Sequence, residues 1–228
     1  MQAIVLAGGL GTRLREVVSD LPKPMAPIGD RPFLSILFDQ IRRHGCNRAF
    51  VSVGYKADAI VNHYGSEFDG MSLDYVREAE PLGTGGALRL ALGRASDDHV
   101  LVLNGDTYFD IGIADIYQEH VKANRSATLV LRWVEEATRY GTVEVSGNAV
   151  TAFNAAGVAG PALINSGIYV LSRELFSRFE LPAAFSFEQD FLQRYANDLK
   201  LSAASASGMF VDIGVPEDYR WACTHVAT

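Results

Sequence analysis

The first 126 residues alternate short apolar runs with segments of helical periodicity. Four runs have the length of strands: 2–6, 49–53, 73–76 and 100–103. Between them, apolar residues at helical spacing predict helices that begin near Phe33, Ala57 and Leu82. The first run is apolar at nearly every position, as expected of a parallel strand covered on both faces. This alternation predicts an α/β fold with a doubly wound, mostly parallel, Rossmann-like sheet.

After residue 126 the strand-like runs follow one another with few helices between them. The predicted strands cover 128–134, 141–145, 150–153, 163–171, 201–204 and 209–211. Ser186, with Gln189 three residues later, has the spacing of a capping box that begins a helix at Phe187, and Pro216 begins a terminal helix. We therefore expect a mixed or antiparallel, strand-rich extension that forms the far wall of a crevice.

Three candidate ligand loops follow predicted strands of the first half. Gly8 follows the first strand, Gly83 the third and Asp106 the fourth. Doubly wound sheets bind ligands outside the carboxyl ends of their strands. We therefore expect these three loops to converge on one crevice.

The loop after the first strand has the character of a phosphate site. It reads LAGGLGTRL over 6–14 and is followed by Lys23. Gly8, Gly9 and Gly11 let backbone N–H groups approach a ligand with no Cβ in the way, and successive N–H groups suit phosphate oxygens. Arg13 can grip two oxygens with its planar guanidinium, while Lys23 adds a mobile point charge. Together they predict a cradle for a triphosphate.

Two commoner glycine motifs do not fit this loop. A Walker loop ends in Gly-Lys-Ser/Thr, whereas Thr12 and Arg13 follow Gly11 here. A dinucleotide fingerprint needs a third glycine where Leu14 stands. An ordinary glycine-rich turn with two incidental surface cations is the alternative interpretation.

Composition narrows the expected partners. The chain has 228 residues, 48% of them apolar, and a formal net charge of −7. Neither nucleic acid nor an anionic membrane is expected as a partner, because a net negative surface repels both. Cys46 and Cys223 lie far apart without metal-like spacing, which favours free thiols. No apolar run approaches the about 20 residues that span a bilayer. We expect a soluble cytoplasmic protein, and the oligomeric state, including a homo-oligomer, stays open.

Asp106 and Asp212 are the candidate metal ligands. Each stands where a predicted strand gives way to a loop. A triphosphate carries several negative charges that cations near its oxygens can offset, and Mg²⁺ commonly takes one or two carboxylates plus substrate phosphates. The alternative is that the two aspartates cap turns. The five histidines are dispersed, and no Ser-His-Asp or Cys-His pattern indicates a protein nucleophile.

Eight sequence blocks together resemble the sugar-1-phosphate nucleotidyltransferases. They are LAGGLGTRL (6–14), PKPM (22–25), PIGDRPFL (27–34), EPLGTGGA (80–87), NGDT (104–107), RYGTV (139–143), INSGIY (164–169) and FVDIGVPEDY (210–219). The block at 27–34 narrows the resemblance toward the bacterial D-glycero-α-D-manno-heptose 1-phosphate guanylyltransferases. The resemblance covers almost the whole chain.

This resemblance implies transfer of GMP from GTP to a sugar 1-phosphate, with Mg²⁺ as cofactor and GDP-sugar and pyrophosphate as products. We expect one domain over 1–228, with a nucleotide-binding half (1–126) and a sugar-binding half (127–228). The implied catalytic residues are Arg13, Lys23, Asp106 and Asp212. The implied nucleotide-binding residues are Leu6, Ala7, Gly8, Gly9, Gly11, Thr12, Arg13, Lys23, Glu80, Pro81, Gly83, Thr84, Asn104 and Gly105. The implied sugar-phosphate residues are Arg139, Tyr140, Gly141 and Asn165.

Base recognition is expected near residues 78–86. Guanine presents two donors on one edge, so its pocket needs acceptors, which Glu78 or Glu80 can supply. The alternative is that both glutamates are solvated loop charges. A uridylyl-, thymidylyl- or cytidylyltransferase, and a nucleotide-sugar sensor without catalysis, are the rival functions.

One stretch departs from the family pattern. Many relatives carry a Glu-Lys pair shortly after the phenylalanine that Phe153 matches, and its lysine reaches the sugar phosphate. Here Phe153 is followed by Asn154, Ala155 and Ala156, which carry no charge. We hypothesise that Arg139 substitutes for the missing lysine, because a guanidinium can clamp two phosphate oxygens.

Overall fold

The computed structural model describes residues 1–9, 11–14, 17, 18 and 20–226, with only the backbone described at Thr12. Its strands are β1 (Gln2–Leu6), β2 (Pro27–Ile28), β3 (Arg31–Pro32), β4 (Arg48–Val53), β5 (Glu67–Phe68), β6 (Met71–Arg77), β7 (His99–Asn104), β8 (Thr107–Phe109), β9 (Ala127–Val134), β10 (Thr142–Ser146), β11 (Ala149–Asn154), β12 (Ala162–Ser172), β13 (Ser202–Ala206) and β14 (Phe210–Asp212). Its α-helices are α1 (Phe33–Arg43), α2 (Ala57–Tyr64), α3 (Gly83–Leu92), α4 (Ile113–Lys122), α5 (Gln193–Leu199) and α6 (Pro216–His225).

Ten strands form one sheet, in the order β10-β11-β13-β9-β12-β7-β1-β4-β6-β5. The strands β7, β1, β4 and β6 pair in parallel, whereas β12 runs antiparallel to both β7 and β9. The chain moves outward from β1 through β4 to β6 and then returns to the other side of β1 as β7. This reversal creates a topological switch point between β1 and β7, where doubly wound sheets bind ligands. The predicted parallel half with a mixed extension is confirmed.

The core lies on both faces of this sheet. In β1, Ala3 and Val5 belong to one buried cluster, together with apolar residues of α1 and α6. Ile4 points to the other face and belongs to the cluster that contains residues of α3 and the aromatic segment 185–192. Burial on both faces explains why the sequence of β1 is a continuous apolar run.

The predicted helix after Ser186 begins where expected but is wound differently. The Ser186 side chain accepts a hydrogen bond from the Gln189 N–H at 3.2 Å, so the predicted cap is confirmed. The first turns, over Phe187–Leu192, are π-helical and continue into α5. Phe187 and Phe191 are buried and anchor this turn.

The sequence pattern did not predict the helix α4 or the short strands β2, β3, β5 and β8. In α4 only Ile113 and His120 are buried, so the apolar stripe that would identify the helix is thin. The strand β8 has three residues and pairs only with β14. No described helix combines the length and apolar character that a bilayer span requires. The two cysteines are free, as expected.

Candidate active site

Three adjoining cavities form a cleft over the carboxyl ends of β1, β6 and β7. The α3 cavity, of about 320 Å³, is lined by Leu6, Gly8, Gly9, Ser52, Glu78, Pro81, Gly83, Thr84, Ala87, Asn104 and Asp106. The central cavity, of about 180 Å³, is lined by Leu6, Ala7, Gly9, Gly11, Arg13, Lys23, Pro24, Gly105, Asp106 and Gly214. The β12 cavity, of about 300 Å³, has a lining that includes Arg13, Asn104, Arg139, Tyr140, Gly141, Asn165, Gly167, Glu188, Gln193 and Asp212. Shared residues join the three: Asp106 lines the first two, and Arg13 lines the last two.

The pairing of β1 with β7 explains why distant loops meet here. Leu6 and Asn104 are register partners at the carboxyl ends of these strands. The Gly105 N–H then donates to the Leu6 carbonyl at 2.9 Å. The glycine loop and the loop that carries Asp106 therefore leave the sheet side by side. Gly8, Gly83 and Asp106 all line the α3 cavity, so the predicted convergence of the three loops is confirmed.

Two glycines of the first loop, Gly8 and Gly11, have close neighbours. Gly11 has a φ of +57°, and a Cβ at this position would lie 2.9 Å from the Lys23 Cβ. A Cβ on Gly8 would lie 2.9 Å from Glu78 Oε1. A larger residue is therefore strained at Gly11, and at Gly8 it would displace the Glu78 carboxylate. The Thr12 side chain, which we predicted in the nucleotide site, lies outside the described part of the chain.

Lys23 joins the two candidate metal ligands. Its Nζ lies 2.6 Å from Asp106 Oδ2 and 3.6 Å from Asp212 Oδ1. The Lys23 side chain is only 10% exposed, whereas the two carboxylates retain about a third of their exposure. One ammonium therefore bridges two carboxylates that face an open cleft.

The small β8–β14 sheet brings the two aspartates together from positions 106 residues apart in the chain. Thr107 and Asp212 are register partners in this antiparallel pair, and the Ile213 N–H donates to the Asp106 carbonyl at 3.0 Å. The Gly214 N–H donates to Asp212 Oδ1 at 2.7 Å and orients that carboxylate. The sequence pattern does not reveal β8, so this proximity could not be predicted from it.

Electrostatics at Asp212 favour the arrival of a further cation. Burial raises the pKa of the Asp212 carboxyl, the nearby Asp106 charge raises it further, and Lys23 and Arg13 partly offset both effects. Mg²⁺ commonly binds one or two protein carboxylates together with substrate phosphates, and Asp106 and Asp212 supply two carboxylates. Among the described residues, no cluster of three or more His, Cys, Asp or Glu could hold a metal ion by itself. The donor set thus fits Mg²⁺ that shares its coordination with a substrate.

The α3 cavity contains Glu78, whereas Glu80 lies outside it. Glu78 Oε2 accepts a hydrogen bond from the Leu82 N–H at 2.9 Å, and Oε1 lies 3.4 Å from Ser52 Oγ. Glu80 is exposed and lines none of the three cavities. Pro81, Gly83 and Thr84 line the α3 cavity together with Glu78.

The β12 cavity collects the residues we predicted for sugar-phosphate binding: Arg139, Tyr140, Gly141 and Asn165. The Arg139 guanidinium donates to Asp218 Oδ2 at 2.6 Å, and this contact raises the pKa of Arg139. The Arg139 side chain remains 52% exposed. Asn104 separates this cavity from the α3 cavity and packs against Gly167, whose φ is +75°.

The polar residues that line the cleft but were not predicted include Ser52, Glu188 and Gln193. Ser52 is part of the buried face of β4, where a single polar residue gives no functional signal. Glu188 and Gln193 are on the segment after Ser186, and the sequence pattern identified that segment only as a capped helix.

Comparisons with known proteins agree with this geometry. The family model described as nucleotidyl transferase matches residues 2–228. The chain is 40% identical to a D-glycero-alpha-D-manno-heptose 1-phosphate guanylyltransferase of Aneurinibacillus thermoaerophilus over 96% of each chain. It is 43% identical to the protein with the same name from Campylobacter jejuni, over 96% of this chain and 97% of the relative.

A solved structure is similar over nearly its full length. The crystal structure of HddC from Yersinia pseudotuberculosis superposes with a TM-score of 0.89, at 34% identity and over 99% of both chains. The same protein complexed with GMP-PN superposes with a TM-score of 0.86.

Proposed function

Because the chain belongs to the nucleotidyl transferase family, we propose that it transfers GMP from GTP to D-glycero-α-D-manno-heptose 1-phosphate. The products are the GDP-sugar and pyrophosphate. The names of the two relatives and the GMP-PN complex of HddC support guanine as the base and the heptose as the sugar. Residues 1–126 form the nucleotide half of the domain in this proposal, and residues 127–228 form most of the sugar half.

The observation that carries the proposal is the cluster of Lys23, Asp106 and Asp212. It lies where the α3, central and β12 cavities meet. A transferred phosphoryl group must occupy the junction between its donor and its acceptor, and this junction holds one ammonium and two carboxylates. We assign the α3 cavity to the base, the central cavity to the triphosphate and the β12 cavity to the sugar.

The reaction requires positioning and charge neutralisation rather than a protein nucleophile. An oxygen of the sugar 1-phosphate attacks the α-phosphorus, a new P–O bond forms, and the bond to the bridging oxygen breaks as pyrophosphate leaves. Loop N–H groups, Arg13 and Lys23 hold the triphosphate and reduce repulsion between the two phosphates. Asp106 and Asp212 are the residues that would hold Mg²⁺. When bound, Mg²⁺ supplies positive charge to the phosphate oxygens.

Glu78 is the acceptor that we propose for the guanine edge. Its carboxylate is fixed by the Leu82 N–H and faces the α3 cavity. Guanine N1–H and its exocyclic amine are donors, which a carboxylate can accept, whereas the pyrimidine bases present a different order of donors and acceptors. The preference for GTP follows from this match.

The proposal is tested with a matrix of GTP, UTP, dTTP and CTP against heptose, mannose and glucose 1-phosphates, each with Mg²⁺ and read by product mass. We expect a GDP-sugar as the dominant product, with the heptose 1-phosphate preferred. A dominant UDP-, dTDP- or CDP-sugar would refute the guanine assignment. The absence of any nucleotide-sugar product would refute catalysis and favour a sensor.

A further inference from the structure

The β12 cavity is lined by both cations and carboxylates. Among the described residues that line it, the carboxylates are Asp212 and Glu188. Asp212 lies beside two cations, because Lys23 Nζ is 3.6 Å from its Oδ1 and Arg13 is close enough to stabilise its charge. Arg139 also lines this cavity and pairs with Asp218, two residues after the start of α6. Glu188 instead accepts a hydrogen bond from Asn165 of β12.

Two side chains of β12 fix the position of Glu188. Tyr169 donates its hydroxyl to Glu188 Oε1 at 2.6 Å, and Asn165 donates from Nδ2 to the same oxygen at 3.0 Å. Tyr169 is buried, and burial raises the pKa of its hydroxyl well above the ordinary value, so it stays protonated and remains a donor. No described residue donates to Glu188 Oε2. One oxygen is therefore held in place, and the other remains available to a ligand.

The π-helical turn explains how a charged residue reaches this cavity. Phe187 and Phe191 bury their rings in the core, and the Phe187 N–H donates to Thr84 Oγ1 on α3. The turn between these anchors leaves Glu188 exposed to the cavity. π-Helical turns are energetically unfavourable and occur frequently at functional sites. The local winding is a second, independent sign that this position serves a ligand.

We propose that Glu188 binds hydroxyl groups of the sugar and so selects among sugar 1-phosphates, an inference that rests on the proposed function. Sugar hydroxyls are donors, and a carboxylate is the strongest acceptor that a side chain offers them. Glu188 also repels phosphate, so the sugar 1-phosphate enters with its phosphate toward Arg13 and its hydroxyls toward Glu188. The stretch after Phe153 carries no charge, so Glu188 supplies the carboxylate on the sugar side of this cavity.

The first test compares Glu188→Gln with Asp190→Asn. Asp190 is a matched control because it belongs to the same turn, accepts from the Ser186 N–H at 2.7 Å and lines none of the three cavities. We expect Glu188→Gln to raise the KM for the sugar 1-phosphate about tenfold or more, the effect of losing a hydrogen bond to a charged group. The kcat and the KM for GTP should change little. Equal effects of the two variants would overturn the proposal, because they would reflect the turn alone.

The second test uses α-D-mannose 1-phosphate and its 2-, 3- and 4-deoxy analogues with wild type and Glu188→Ala. In wild type, the analogue that lacks the bound hydroxyl should lose about tenfold or more in kcat/KM. In Glu188→Ala this analogue and its parent should react equally, because the carboxylate that binds the parent's hydroxyl is gone. A uniform loss for the parent and all three analogues would overturn the proposal.

Calorimetric titration separates this inference from the proposed function. α-D-Mannose 1-phosphate and the heptose 1-phosphate are titrated into wild type, Glu188→Gln and Asp190→Asn with Mg²⁺ present. If wild type makes no nucleotide sugar but binds either probe about tenfold more tightly than Glu188→Gln does, the proposed function fails and the role of Glu188 stands. Equal affinities in wild type and Glu188→Gln, or no binding of either probe, would overturn the role of Glu188.

Discussion

At the scale of single residues, Lys23 is the side chain on which the charge balance of the central cavity depends. It is 10% exposed and contacts both aspartates. A charge in such a cleft is screened by salt much less than a charge on the open surface. We predict that Lys23→Ala lowers kcat/KM at least about a hundredfold, whereas Lys122→Ala changes it less than about twofold. Lys122 is an exposed residue of α4 and serves as the control.

Pyrophosphate release at 0.05 M and 0.3 M salt checks this prediction. The defect of Lys23→Ala should persist at both salt concentrations. Equal small defects in the two variants would remove Lys23 from the triphosphate cradle.

Arg139 offers a second test at a single residue, because the chain contains a close control for it. Arg139 pairs with Asp218 at 2.6 Å and is 52% exposed, and Arg77 pairs with Asp58 at 2.7 Å and is 53% exposed. Of these two arginines, Arg139 lines the β12 cavity and Arg77 does not. We predict that Arg139→Ala raises the KM for the sugar 1-phosphate about tenfold or more, the scale of about 1.4 kcal/mol of lost binding, and leaves the KM for GTP unchanged.

Initial-rate kinetics with each substrate varied in turn measure both constants. Arg77→Ala should match wild type in both. If Arg139→Ala raised the two KM values equally, it would not be the clamp that replaces the missing lysine.

Residues with a chemical signature could be predicted from the sequence, and isolated residues could not. Arg13 and Lys23 were identified through the glycine loop, and Asp106 through its place after a strand. Glu188 has no such context, because a glutamate early in a helix is common and its role depends on Tyr169 and Asn165 from a distant strand. The sequence did not distinguish Glu78 from Glu80. The path of the loop backbone places Glu78, and not Glu80, in the lining of the α3 cavity.

At the scale of elements, α4 is held to the sheet by a buried histidine. His120 has no solvent exposure, and its ring lies 3.0 Å from His99 of β7 and 2.8 Å from Thr128 of β9. Burial lowers the pKa of His120 to about 4, and the nearby charges of His99 and Arg125 act in the same direction. Because the unfolded chain binds this proton near pH 6.5 and the folded protein does not, folding stability falls as the pH drops from about 6.5 toward 4.

We predict that the free energy of unfolding decreases less steeply over that pH range in His120→Gln than in wild type. Urea titrations at several values between pH 7 and pH 4.5 measure the difference. His63→Gln, at an exposed position of α2, is the control and should retain the wild-type slope. Parallel curves for all three proteins would show that His120 does not contribute to the acid sensitivity.

The same element shows why part of the fold was beyond sequence reasoning. The helices with a broad apolar face, such as α1, were predicted close to their observed bounds. The helix α4 buries a polar ring instead of an apolar stripe, so its periodicity is weak. The strand β8 is stabilised by pairing with β14, which is a long-range property that the local sequence pattern does not contain.

At the scale of the whole molecule, an acidic protein must bind highly anionic substrates. The chain carries a formal net charge of −7, and the cleft gathers Arg13, Lys23 and Arg139 around the proposed phosphate positions. The cations gathered in the cleft therefore offset, at this place, the negative net charge of the chain. The sheet order makes this possible, since the reversal between β1 and β7 opens the cleft where loops from both halves of the chain meet. The alternation of strands and helices predicted a doubly wound fold, which contains such a reversal. It did not predict that the reversal would lie between β1 and β7.

The Asp106–Asp212 pair links the function of the site to the stability of the molecule. Burial and the Asp106 charge raise the pKa of Asp212 above its ordinary value of 3.8 even though Lys23 is nearby. The folded protein thus binds this proton more tightly than the unfolded chain, so ionised Asp212 lowers the free energy of unfolding above that pH. We predict that Asp212→Asn raises the Tm at pH 7.5 while it lowers turnover at least about a hundredfold, as expected when an active-site charge is removed.

Thermal unfolding of wild type, Asp212→Asn and Asp30→Asn from pH 8 to pH 4.5, without added metal, measures the first effect. Asp30 is exposed and lines none of the three cavities, so its variant should follow wild type throughout. The stabilisation by Asp212→Asn should shrink as the pH falls toward 3.8, because the wild-type carboxyl then becomes protonated in both states. Added Mg²⁺ should raise the Tm of wild type more than that of Asp212→Asn, since only the wild type keeps both carboxylates. A lower Tm for Asp212→Asn at pH 7.5 would mean that the contact with Lys23 outweighs burial and repulsion, and that the pair stabilises the fold as well as the proposed metal.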